Sequence, residues 1–152
     1  MNKIDEFRLF QKEDIEWLQT WFEDGEVQKR LEGMMPLHDW YNFVEENENY
    51  QVWAALQDGK PVGAVMVEVE EDFTGNIALV VDPFLRSKGY GKAIIKRTVQ
   101  LPEMSRIKKW FAGIEEDNHA CLRCFQSIGY SFESDQPDED GYYSLIYLPN
   151  TK

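Results

Sequence analysis

The stretch from Leu79 to Lys92, LVVDPFLRSKGYGK, limits the fold more than any other: an apolar strand runs through a short turn into a helix whose start carries two glycines and several cations. Strands that hand over to helices in this way belong to α/β architectures. A helix start leaves its first backbone N–H groups without intrahelical acceptors and bears the positive end of the helix dipole, so it favours a bound phosphate. Gly89 and Gly91 lack the Cβ atoms that would hold a diphosphate off the backbone. The plainer reading, a solvated basic helix start, stays open on this feature alone.

Spacing narrows the kind of phosphate binder. A P-loop needs G-x-x-x-x-G-K-[ST], but Arg86 stands five residues before Gly91 and Ala93 follows Lys92 where a hydroxyl is required. A dinucleotide fingerprint needs a glycine at position 94, which is Ile94, and no early strand–glycine–helix unit exists to carry it. Arg86-Ser87-Lys88-Gly89-Tyr90-Gly91 does match [QR]-x-x-G-x-[GA], preceded by the run V-V-D-P-x-x-R. About thirty residues downstream stands Asn118-His119-Ala120, followed by Phe125 and by Gly129-Tyr130. In these two motifs, their order and their separation, the chain resembles the GNAT family of acetyl-CoA-dependent N-acetyltransferases, over roughly residues 7 to 148.

Composition agrees with a packed enzyme-sized domain. At 152 residues, with 43% hydrophobic and 14% aromatic residues, one core can form without disulfides or metal, and a single domain over residues 1–152 is expected. The N-terminus carries acids where a signal peptide would be apolar, and no apolar run approaches membrane-spanning length; the expectation is a cytoplasmic protein without a membrane partner. A net charge of −12 disfavours nucleic acid and leaves room for a cationic partner, although acidity also serves solubility. Against that background Arg86, Lys88, Lys92, Lys96 and Arg97 place five of 16 basic residues in a twelve-residue window, which suggests an anionic cofactor. Cys121 and Cys124 have the spacing of a redox pair or half a zinc site, but His38 and His119 are the only histidines and the pair falls inside a helical pattern. Buried reduced thiols and no metal are expected.

Hydropathy period and turn residues lay out the rest. Phe7–Phe10 alternates as a strand, Asp14–Glu23 has helical spacing, a helical piece covers Glu26–Leu31, and Pro36 opens a further helix. Tyr50–Leu56 and Pro61–Val69 form a hairpin through Asp58-Gly59, and Asn76–Val81 reads as a central strand covered on both faces. The helix from Gly89 ends near Leu101, before Pro102. Lys109–Ile114 is a strand, Asp117 or Asn118 caps a helix stopped by Gly129, and Tyr130–Phe132 and Tyr142–Leu148 are the last strands, around an acidic loop at 133–140. The resulting class is α/β, and the element order is the one implied by the resemblance: an acyl-CoA N-acyltransferase fold with a mixed, mostly antiparallel sheet flanked by helices.

The resemblance also implies roles. The backbone of Leu79, Val80 and Val81 would hydrogen-bond the pantetheine arm as an added strand, and Arg86, Ser87, Lys88, Gly89, Tyr90, Gly91 and Lys92 would cradle the diphosphate. Asn118 would bind the same arm, and an Asn there is equally a helix cap. Phe125 stands where the family commonly has a tyrosine that protonates the leaving thiolate, and Asn76 stands where many members have a glutamate base. Glu68 and Glu70, which alternate onto one face of the preceding strand, could take the proton through water, or could simply be solvated. The implied activity is direct acetyl transfer from acetyl-CoA to a primary amine of a small cationic molecule or a peptide. The missing tyrosine and glutamate motivate an alternative, a catalytically weak acyl-CoA-binding or sensing module of the same fold.

Overall fold

The computed structural model describes residues 4–149. Seven strands form one sheet in the order β1-β2-β3-β4-β5-β7-β6, with every neighbouring pair antiparallel except β4 and β5. The strands are β1 (Glu6–Leu9), β2 (Tyr50–Gln57), β3 (Lys60–Val69), β4 (Thr74–Val81), β5 (Lys109–Glu115), β6 (Ser131–Phe132) and β7 (Tyr142–Tyr147). The helices are α1 (Ile15–Trp21), α2 (Gly25–Leu31), α3 (Leu37–Glu46), α4 (Tyr90–Val99) and α5 (His119–Ile128). Asp58 and Gly59 both take positive φ, 53° and 78°, and join β2 to β3 in the two-residue turn that their sequence announced.

Period-two alternation sends the apolar side chains of β2 and β3 to two cores. Trp53, Val65 and Val67 face α4 and α5 and meet Ile94, Ile95, Trp110 and Phe125. Val52, Ala54, Ala64 and Met66 face the other way, against Leu18, Trp21, Leu37 and Trp40 of α1 and α3. Gly63 sets how closely α4 lies on the sheet, because a Cβ there would collide with the Ile94 side chain and approach the Val80 carbonyl oxygen at 3.0 Å.

One expectation about the sheet changes. β4 starts two residues earlier than its apolar run suggested and is not covered on both faces: Ala78 is exposed and Leu79 half-buried. The reason lies in the pairing. β4 and β5 are in register only at Thr74–Lys109, Gly75–Trp110 and Asn76–Phe111, after which the two strands part and leave the second half of β4 bordering a gap.

Candidate active site

At the two ends of the β3–β4 ladder, the Glu70 N–H donates to the Thr74 carbonyl at 2.8 Å and the Asp82 N–H to the Val62 carbonyl at 3.0 Å. Antiparallel pairing alternates, so Asn76, Ala78 and Val80 turn their backbone groups to β3, while Leu79 and Val81 turn theirs to the gap. An extended amide chain laid in the gap meets a strand edge of the kind that β-addition uses. Of the three residues expected to serve the pantetheine arm, Leu79 and Val81 aim backbone groups into the gap; Val80 lines its wall and pairs its backbone with β3.

Above the gap the chain turns sharply into α4. Ser87 and Gly89 both have positive φ, 62° and 89°, and Gly89 caps α4 without a side-chain hydrogen bond. The first helical bond in this turn runs from the Ala93 N–H to the Gly89 carbonyl at 3.1 Å, which leaves the N–H groups of Tyr90, Gly91 and Lys92 at an open helix start. Gly91 borders the gap: a Cβ there would sit 3.5 Å from Cys124 Sγ, 3.8 Å from Val81 Cγ2 and 3.9 Å from Leu79 Cδ1. The cleft so formed has a volume of about 670 Å³. Its walls include Leu79–Val81, Arg86, Ser87, Gly89–Lys92, Asn118 and Phe125, which brings nearly all of the expected cofactor residues together. Lys88 belongs to the same turn without lining the cleft.

The basic window divides. Arg86 and Lys92 reach the cleft, but Lys96 and Arg97 lie in the last turn of α4, and Arg97 donates to the Ile4 carbonyl and covers the Phe7 ring at 5.4 Å. Cations suit the negative end of a helix, so composition alone overstated the charge available to a cofactor. Asn118 performs its capping role, its side-chain oxygen accepting the Cys121 N–H at 3.4 Å, while still lining the cleft. The two thiols were expected to be buried; both are only half-buried, because the i, i+3 spacing sets them on the face of α5 that borders the cleft. Burial nevertheless pushes Cys121 up to about 12 and raises Cys124 as well, so neither is a ready nucleophile.

Phe125 is the floor of the cleft, 1% exposed and packed edge-on against Tyr130 at 4.8 Å. Glu68 and Glu70 do not line the cleft; both are exposed near the point where β4 and β5 part. Glu68 lies opposite Asn76 across the ladder, and the Glu70 carboxylate accepts from Asn76 Nδ2 at 2.5 Å. Cross-strand partners share a face, so the two carboxylates look out on the α1–α3 side of the sheet, away from α4 and α5.

The wall that sequence reasoning missed is α2. Glu26, Val27, Arg30 and Leu31 line the cleft. Arg30 donates to Glu26 at 2.8 Å, to Asp117 at 2.9 Å and to Glu115; burial opposes its charge, and these three carboxylates more than restore it. The i, i+4 spacing of Glu26 and Arg30 was legible, but their attachment to β5 was not.

The model of the Acetyltransferase (GNAT) family matches residues 12–130. An N-acetyltransferase of Bacillus subtilis (strain 168), described as the uncharacterized N-acetyltransferase YfmK, is 38% identical over 146 residues, 96% of this chain and 98% of that protein. Among solved structures, spermidine N-acetyltransferase from Vibrio cholerae in complex with CoA and spermine superposes with a TM-score of 0.81 at 14% identity, covering 95% of each chain. The aminoglycoside acetyltransferase AAC(6')-Ib in complex with coenzyme A gives 0.79 at 17% identity, covering 93% of each chain. At such identities these two structures show the fold.

Proposed function

The chain belongs to the GNAT acetyltransferase family and is an N-acetyltransferase, and from that premise we propose that it transfers acetyl from acetyl-CoA directly to a primary amine of a small cationic molecule or a peptide. One observation carries the cofactor half of this reading: the open start of α4, the backbone edge of Leu79 and Val81 and the Arg86 and Lys92 side chains converge on one cleft. Their chemistry fits a diphosphate joined to an amide-bearing arm. Acetyl-CoA supplies an acyl thioester when bound. The residues of the cleft hold and align it, and alignment of this kind contributes several kcal/mol to a bimolecular acyl transfer.

Glu68 and Glu70 lie on the sheet face opposite α4 and α5, which suits an acceptor that approaches from the far side of the gap. Their carboxylates would take the ammonium proton through water. Phe125 has no proton to give, so the departing thiolate, with a thiol pKa of about 8.5, takes its proton from solvent. Glu68→Gln together with Glu70→Gln should lower kcat/KM about tenfold at neutral pH and leave acetyl-CoA affinity unchanged. An unchanged pH–rate profile in that variant would make both carboxylates bystanders.

The acidic loop at 133–140 supports a cationic acceptor. Gly141, at its end, accepts the Glu116 N–H at 2.9 Å, which ties the loop to the turn between β5 and α5 at the rim of the cleft. Asp138 also shapes the loop by accepting the N–H groups of Asp140 and Tyr142, each at 2.9 Å. Replacing Asp138 by Asn and Glu139 and Asp140 by their amides should raise KM for a cationic acceptor about three- to tenfold at low ionic strength and flatten its salt dependence. Equal KM at low salt would remove the loop from acceptor binding. The overall reading is tested by following acetyl-CoA-dependent thiol release over a panel of diamines, aminoglycosides and basic peptides. Acceptor-dependent release is expected, and tight acetyl-CoA binding without turnover for any amine would overturn it.

A further inference from the structure

α2 touches both arms of the parted sheet. At its start the Asp24 carboxylate accepts the N–H groups of Glu26 and Val27 at 3.0 and 3.1 Å, and the same Oδ2 atom takes Arg86 Nη2 at 2.5 Å. At its end Arg30 meets Glu115 and Asp117, and Lys29 meets Asp117 at 3.3 Å. One end of the helix is therefore pinned to the turn that follows β4, and the other to the end of β5. Between them Glu26, Val27 and Arg30 face the cleft.

Arg86 thus has two claimants. It opens the turn assigned to the diphosphate, and its guanidinium is held by the Asp24 carboxylate. The two attachments of α2 differ in strength. The Arg86 and Asp24 side chains are 42% and 28% exposed, whereas Arg30 is 15% exposed and shared among three carboxylates. An exposed pair is readily surrendered to a bidentate dianion. We propose that Asp24 is an internal competitor for the diphosphate: it holds Arg86, and with it the start of α2, against the mouth of the cleft until the cofactor displaces it. The inference rests on the cofactor reading of the cleft and adds to it a residue that sets cofactor affinity from outside the phosphate turn.

Asp24→Asn separates the two jobs of this residue, because Asn caps a helix as well as Asp does and carries no charge for Arg86. Titration of the variant with acetyl-CoA in a calorimeter at low ionic strength should show Kd lowered about three- to fivefold, the range an exposed ion pair can withhold, with the thermal midpoint lower by no more than about 1–4 °C, the loss of that same pair. The gain should shrink in high salt and vanish when Arg86→Gln is present in both members of the comparison. A Kd that stays the same or rises in Asp24→Asn would overturn the proposal, as would a gain that survives the loss of Arg86. If Arg86→Gln alone leaves affinity intact, the assignment of the diphosphate turn fails first, and the two failures are thereby told apart.

Discussion

Gly91→Glu is expected to abolish acetyl-CoA binding, with Kd raised more than about a hundredfold, while the protein stays folded. Both halves of that outcome follow from where the side chain would go. The Cβ would point among Cys124 Sγ, Val81 Cγ2 and Leu79 Cδ1, into the gap that borders the turn proposed to hold the diphosphate. A carboxylate extending from it would enter the space of an anionic ligand and repel it at short range in a partly dry cleft; a hundredfold in Kd corresponds to about 2.7 kcal/mol, which a like charge at such distances readily supplies. The fold is spared because position 91 is in the first turn of α4, where an acidic residue is favourable to the helix, and because φ at Gly91 is not in the left-handed region. Gly91→Ala is the matched control. Its single methyl group meets neighbours only at ordinary contact distances, so it should fold at least as well as the parent and lose far less affinity than the glutamate variant. Calorimetry on the two variants decides the matter, and undiminished affinity in Gly91→Glu would remove the cleft from cofactor binding altogether.

The features that sequence could show were those written in adjacent residues. The Asp58-Gly59 turn, the cap at Asn118 and the stop at Gly129 are local chemistry, and each stands where its residue type requires. The strand–turn–helix from Leu79 to Lys92 is local too, and it brought much of the cleft wall with it. What escaped was long-range. Asp24 and Arg86 are 62 residues apart and Arg30 and Glu115 are 85 apart, and neither pair has a signature in the spacing of either segment. The apolar run of β4 misled for a related reason: a strand edge open to a cleft and a strand edge in a core carry the same apolar side chains, and only the departure of β5 after Phe111 distinguishes them. Likewise Lys96 and Arg97 counted toward a phosphate site until the helix turned them to its far end.

Phe125→Ala should combine a large loss of stability with a loss of cofactor affinity, and should leave the pH dependence of turnover where it is. The ring is 1% exposed, edges against Tyr130 at 4.8 Å and forms part of the cleft wall, so its truncation opens a void shared by core and site. A phenylalanine-to-alanine change in a packed core costs about 3–5 kcal/mol, a large share of the 5–15 kcal/mol typical of a domain. The thermal midpoint should therefore fall by roughly 6–20 °C, at about 2–4 °C per kcal/mol for a chain of this size. Phe125→Leu keeps most of the volume and serves if the alanine variant does not fold; it should weaken acetyl-CoA binding by a smaller factor with the same signature. The signature matters because a phenyl ring neither donates nor accepts a proton, and a residue that acts only by packing changes Kd and Tm without moving the limbs of a pH–rate profile. A fall in kcat at unchanged acetyl-CoA affinity, or a displaced alkaline limb, would contradict this and assign Phe125 to the chemical step.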